Sequence, residues 1–377
     1  MAGRVIMKAL LLFLVLNLVF IWVLPLQALG RLSLYNLLFP GRMRLPYGDN
    51  PAKAYNLSLY NLEAMFASHE LAGSSKPPNE FRVLVIGDSA GWGFLLEPED
   101  TLAEAINAQQ AVLPDGRSVR AYNLGYPVMS LTKDLLILER AMAYEPDLVV
   151  WPVTLESFPY DKQLFPPLLQ NNPEAVNALI EKTGLSLKPL AASETGGWWQ
   201  RTIVARRREL ADLLRLQLYG VLWAATGIDQ DLPLSYTPRQ EDLSSDIEFH
   251  GLTGPDFQAS DLALEILSAG VRLAGETPVL IVNEPMFVSQ GENSDLRYNF
   301  YYPRWAYDGY RRILSAWSAQ NDLAYLDLWD SVPNTEFTNS AVHMTPQGTQ
   351  MFARQVLRAI LENPDLHSPV RAGTGEK

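Results

Sequence analysis

From residue 81 onward, short apolar runs alternate with stretches of helical period. The runs are RVLVIG (82–87), SVRAYNLG (118–125), DLVVWPV (147–153), PVLIVN (278–283) and AYLDLW (324–329). Helical patterns fall near 101–110, 131–144, 260–273 and 304–319, and a last one runs from Pro346 to about Leu361. Thr345 is placed to cap that last helix, with Pro346 at its first position. Strands this apolar, spaced by amphipathic helices, predict a parallel sheet covered by helices on both faces.

Two regions break the rhythm. The interval 160–257 is too long for a loop in a compact domain and is expected to be a mostly helical insertion. Its most regular part is WWQRTIVARRRELADLLRLQLYGVLWAATG (198–227), with only 12 uncharged residues after Arg215, too few to cross a membrane. Trp198, Trp199, four arginines and the apolar end fit an interfacial helix; the simpler expectation is a helix packed on the main domain. At the N-terminus, Arg4 and Lys8 precede ALLLFLVLNLVFIWVLPLQALG (9–30), 22 uncharged residues. That is enough to cross a hydrocarbon core of about 30 Å and longer than an ordinary signal-peptide core of about 7–15 residues. An uncleaved anchor with the N-terminus inside and the main domain outside is expected, although Ala28-Leu29-Gly30 also fits a cleavage site. Residues 31–80 form a membrane-proximal arm, in which Ser58 would cap a helix running to about Ala72 and Gly73 would stop it. GSSKPPNE (73–80) is a linker, and 363–377 a tail. Asn56-Leu57-Ser58 matches a glycosylation sequon.

Composition narrows the function. The net charge is −12 with no long basic run, which argues against a nucleic-acid partner. There are no cysteines, so disulfides, thiolate metal sites and a cysteine nucleophile are excluded. Only His69, His250, His343 and His367 are available, too few for a histidine-rich zinc site.

The chemistry is concentrated in FRVLVIGDSAGWGF (81–94). Gly87-Asp88-Ser89-Ala90-Gly91 satisfies G-x-S-x-G, in which a serine is raised on a tight turn between strand and helix. Ligands of open parallel sheets bind outside the carboxyl ends of the strands, and Ser89 stands at such an end. A similar pentapeptide occurs in the hormone-sensitive-lipase branch of α/β-hydrolases. That branch also needs a His-Gly-Gly loop, which the chain lacks, and its nucleophile follows several strands rather than the first.

Three ordered blocks, Gly87-Asp88-Ser89, Gly125 in YNLGYP and His343 in NSAVHMTPQG, together resemble the SGNH, or GDSL, hydrolase superfamily over residues 81–362. The resemblance implies a three-layer α/β/α, SGNH/flavodoxin-like fold and no cofactor or metal. Ser89 would be the nucleophile and His343 its base. The oxyanion would be held by backbone at Ser89 and Gly125, with Thr154 at the third-block position. Two departures stand out. Glu156 occupies the place of the family's oxyanion asparagine, where a carboxylate would repel developing negative charge. Ser340 occupies the place of the triad aspartate, leaving Asp330, Glu336 or Asn339 to partner His343, of which Asp330 is preferred because a strand end is held rigidly. Asn283 and Glu284, at the end of another strand, are candidate substrate contacts together with Glu156. The seven aromatics of RYNFYYPRWAYDGY (297–310) would stack on sugar rings or pack beneath the site.

The expected function is a membrane-anchored, extracytoplasmic serine esterase acting on an acylated small molecule or polysaccharide. One alternative is an O-acyltransferase of a surface polysaccharide, supplied by a membrane acyl-donor partner. The other is a non-catalytic glycan-binding or assembly protein on the same fold.

Overall fold

The computed structural model describes residues 2–23, 29–39, 41–47, 60–73, 75–191, 198–226 and 235–367. The proposed cap Ser58, the sequon and the end of the 363–377 tail lie outside them. In chain order the main elements are α1 (Ala2–Val23), α2 (Leu34–Leu38), α3 (Leu62–Ser68), β1 (Glu80–Val85), α4 (Ser89–Trp92), α5 (Leu102–Asn107), β2 (Ser118–Asn123), α6 (Leu131–Ala141) and β3 (Leu148–Val153). They continue with α7 (Pro167–Gln170), α8 (Pro173–Thr183), α9 (Arg207–Thr226), α10 (Leu264–Ala274), β4 (Val279–Asn283), α11 (Arg304–Gln320), β5 (Ala324–Asp327) and α12 (Pro346–Glu362).

The strands form one parallel sheet in the order β2-β1-β3-β4-β5. Because side chains alternate along a strand, each strand feeds two cores. Leu84, Ile86, Val149, Trp151 and Ile281 pack under α6, α10 and α11. Phe81, Val83, Val85, Val150 and Val282 pack under α5 and α12. This is the expected three-layer α/β/α arrangement. Trp151 shows how tightly the layers meet: a Cβ added at Gly270 of α10 would lie 2.3 Å from its ring. Overpacking of that kind costs about 1–3 kcal/mol or more.

Between β3 and β4 lie the helices α7, α8 and α9, and the described residues 184–191 and 235–257 of the same interval are not helical. Leu179 and Ile180 of α8 join the core on the α6 side. The segment after α9 returns across the site: Arg239 donates to the carbonyls of Asn334 (2.8 Å) and Phe337 (2.6 Å). In the arm, α2 and the short α3 form, and α3 is capped by Asn61, whose side chain accepts from the Ala64 N–H. The chain turns outward from β1 to β2 and then back across β1 to β3. The topological switch point is therefore the crevice between the ends of β1 and β3.

Candidate active site

Ser89 is the first residue of α4, directly after the β1 end, and the Asp88 side chain caps the turn by accepting the Ala90 N–H at 2.8 Å. The turn is held from below by a buried cation. Lys133 Nζ donates to the carbonyls of Gly87 (2.6 Å) and Tyr126 and pairs with Asp134 at 2.5 Å. Asp134 in turn accepts from the Trp151 indole at 3.1 Å. Burial raises the Asp88 carboxyl above its ordinary range, opposed by Lys133, and raises Asp134 to about 6, opposed by the same lysine.

His343 reaches Ser89 from the loop before α12, whose N-cap is Thr345 with Pro346 following, as the sequence indicates. His343 Nε2 lies 2.8 Å from Ser89 Oγ, and Nδ1 lies 2.8 Å from Asn339 Oδ1. An amide oxygen can only accept, so Nδ1 carries the proton and Nε2 presents its lone pair to the serine hydroxyl. Phe94 stacks on the imidazole with centroids 4.8 Å apart. Burial, with no carboxylate to oppose it, lowers the His343 pKa to about 4.

The partner expected for His343 was Asp330. That residue is exposed and makes no hydrogen bond to the histidine. It stands past the end of β5, where the chain has already turned to solvent. Glu336 is engaged elsewhere, accepting from the Thr345 hydroxyl. The partner is Asn339, four residues before His343. Ser340 makes no contact with His343 and lies near the Tyr301 hydroxyl instead.

The oxyanion candidates differ among themselves. The Ser89 N–H heads α4 and has no acceptor among the described residues. The Gly125 N–H is already donated to Asn123 Oδ1 at 3.0 Å. Glycine is needed there for another reason: a Cβ would lie 2.4 Å from the Trp92 backbone nitrogen. The Thr154 hydroxyl is paired with the Tyr302 hydroxyl at 2.9 Å.

Glu156 stands beyond the end of β3, on the other side of the crevice, and is not a free carboxylate. It meets His250 Nε2 at 3.2 Å and Lys162 Nζ at 2.9 Å, and Asp161 takes His250 Nδ1 at 2.9 Å. The hydrogen bond to Glu156, and then the one to Asp161, raise the His250 pKa above its ordinary value against partial burial.

Two expected substrate contacts are buried instead. Asn283 donates to Asp327 at 2.8 Å and accepts from the hydroxyls of Tyr307 and Tyr310 at 3.3 and 3.1 Å, so it joins β4, β5 and α11. Its burial between two tyrosines and a neighbouring strand removes it from any ligand. Glu284 is enclosed, and its carboxyl is pushed well above the usual range by burial and by Asp88 and Asp134. Most of the 297–310 aromatics are likewise core: Tyr302, Tyr307 and Tyr310 are fully buried, while Tyr301 and Trp305 are partly covered. Lys133, Phe94 and the His250 pair went unassigned in the sequence; a lysine inside an otherwise apolar helix face was the available signal for the first. Among the described residues no group of three or more His, Asp or Glu side chains is arranged to hold a metal. An open depression of about 620 Å³ among Arg31, Asn61, Glu63, Arg140 and Lys182 shares no residue with this site.

No protein-family model matches the chain, and no curated protein matches it. Several solved structures are similar at low identity. A member of the lipolytic protein G-D-S-L family from Veillonella parvula DSM 2008 is 11% identical, over 75% of this chain and 99% of that one, with a TM-score of 0.35. The native M. smegmatis aryl esterase is 13% identical, over 74% and 97%, with a TM-score of 0.34. A catalytic mutant of Axe2, an acetylxylan esterase from Geobacillus stearothermophilus, is 12% identical, over 76% and 97%, with a TM-score of 0.37.

Proposed function

We propose that the protein is a serine esterase that cleaves an O-acyl ester through an acyl-Ser89 intermediate. The observation that carries this reading is the hydrogen-bonded line Ser89–His343–Asn339, with both contacts at 2.8 Å. Ser89 Oγ attacks the ester carbonyl while His343 Nε2 takes its proton; the same proton then goes to the leaving alcohol. Water, deprotonated by His343, cleaves the acyl-serine in the second half. The Ser89 N–H is the available oxyanion donor, and Gly125 joins it only by releasing Asn123. Asn339 fixes the imidazole tautomer but brings no charge to stabilise the imidazolium. In the serine-protease template, replacing the aspartate by asparagine lowers turnover by roughly 10⁴, so this esterase is expected to be slow.

The reading includes an anchored enzyme: α1 is long and apolar enough to cross a membrane, with the catalytic domain on the extracytoplasmic side. The substrate is an acylated small molecule or polysaccharide. O-acyl transfer to a sugar hydroxyl, with a membrane acyl donor, is the second reading. It is favoured by the Glu156–His250 pair on the far wall of the crevice, which offers hydrogen-bonding groups to an acceptor hydroxyl. The test is labelling with a fluorophosphonate followed by peptide mapping, together with ester hydrolysis measured in the presence and absence of sugar acceptors. Label on Ser89 that is lost in Ser89→Ala supports the reading. Hydrolysis that persists unchanged in Ser89→Ala removes it.

A further inference from the structure

The segment 198–226 leaves an apolar face uncovered beside the N-terminal helix. In α9, Leu213 and Leu216 pack towards Ala64 of α3. Leu214, Leu218 and Leu222, spaced by four on the opposite side, are 61, 62 and 54% exposed. The small residues Ala211 and Ala225 are exposed at either end of the same stripe. Helix α2 lies alongside α9 and is tied to it through Gln217, which accepts the Leu34 N–H at 2.7 Å and donates to the Leu32 carbonyl at 2.6 Å. It too presents leucines outward, Leu34, Leu37 and Leu38. A soluble domain rarely leaves a contiguous surface of this kind bare.

What covers this face is indicated by its connection to α1. The Asn17 side chain, in the middle of that apolar helix, donates to the Phe13 carbonyl at 2.9 Å and accepts the Ile203 N–H at 3.0 Å. Asn17 is six residues before Val23, which at about 1.5 Å per residue places it roughly 9 Å inside the end of the helix. A polar amide at that depth is costly in hydrocarbon unless its hydrogen bonds are met, and Ile203 meets one. Residues 202–204 therefore reach below the level at which α1 ends. Trp198 and Trp199, both exposed, adjoin this contact, with Arg201 before it and Arg206, Arg207 and Arg208 after it. Tryptophan and arginine beside an apolar stripe is the pattern of the headgroup boundary.

We infer that residues 198–204, α9 and α2 sit in the bilayer leaflet on the catalytic domain's side, so that the protein rests on the membrane as well as being anchored through it. The occupant of the exposed face is lipid, continuous with the lipid around α1. This inference does not depend on the esterase reading.

The natural chain has no cysteine, which allows single probes. Nitroxides are attached to Trp199→Cys, Leu218→Cys and, as a water reference, Val112→Cys in the full-length protein. The labelled proteins are reconstituted into vesicles of phosphatidylcholine and phosphatidylglycerol. Collision rates with oxygen, which concentrates in lipid, and with a nickel chelate, which stays in water, are then compared. The expected result is nickel accessibility at least several-fold lower, and oxygen accessibility higher, at Trp199 and Leu218 than at Val112. Water-like values at both positions overturn the inference. So does protection from both quenchers with spin–spin broadening at Leu218, which would mean that a second copy of the chain covers the face. Fluorophosphonate reactivity is not a readout here, so failure of this experiment leaves the Ser89 assignment standing.

Discussion

His343 and His250 flank the same crevice and are built in opposite ways. His343 is buried beneath Phe94, meets Ser89, and has an amide for a partner, so its pKa falls to about 4. His250 is half-buried between two carboxylates and its pKa rises. The carboxylate partners expected in a serine hydrolase are thus present, but on the histidine that does not touch the serine. A base with a pKa near 4 is neutral and ready across the physiological range, yet it drives proton transfer weakly, because the best base has a pKa near the working pH. At the other wall, Glu156 is paired with Lys162 and hydrogen-bonded to His250, so its carboxylate is engaged there rather than with Ser89.

The sharpest way to break this contrast is to remove each half of the reacting pair. Ser89→Ala or His343→Gln is expected to lower fluorophosphonate labelling and ester hydrolysis by at least about 10³-fold, as for groups that act as a unit. The next variant moves a carboxylate to His343. Asn339→Asp places an anion at Nδ1, which favours the imidazolium. Hydrolysis should rise by about 10²-fold, within the roughly 10⁴ span of the template. The acid limb of the rate profile should move up from about pH 4. An unchanged rate would mean that His343 is not the working base.

The far wall is tested by His250→Gln, which removes the imidazole partner of Glu156. A fall of roughly 10-fold or less in turnover is expected, comparable with the loss of one charge-assisted contact. The wild-type pH profile carries the same information. The raised pKa of His250 means that its contribution to stability is fully present below the unfolded value of about 6.5. That contribution is lost as pH rises through the higher folded value, so thermal unfolding of the wild type, but not of His250→Gln, should lose stability over that window. The smallest effect belongs to Asp330→Asn. Its side chain is exposed and clear of His343, and rates should stay within about twofold of wild type, as for surface changes away from such features.

The sheet was legible because each strand is a compact apolar run bounded by turn residues, and because burial on both faces leaves no ambiguity of period. That Ser89 and His343 lie side by side was legible from their order and from the elements that follow them. The partner of His343 was not, because a loop can present either of two adjacent side chains: Asn339 faces inward, whereas Ser340 turns to Tyr301. The burial of Asn283 and Glu284 was not legible because a strand end marks an edge of the sheet but not its depth, and α11 covers that end with tyrosines. Lys133 and His250 gain their roles from partners 46 and 94 residues away, which no local pattern encodes.

The most direct measurement of the central claim is the rate of fluorophosphonate labelling of the intact protein as a function of pH, with the modified residue identified by mass spectrometry. The account predicts a single label on Ser89. Its rate should be flat through neutrality and fall only as pH drops towards about 4, where His343 takes up a proton. Absence of label on Ser89, or a rate that already falls near the ordinary histidine value of about 6.5, would contradict it.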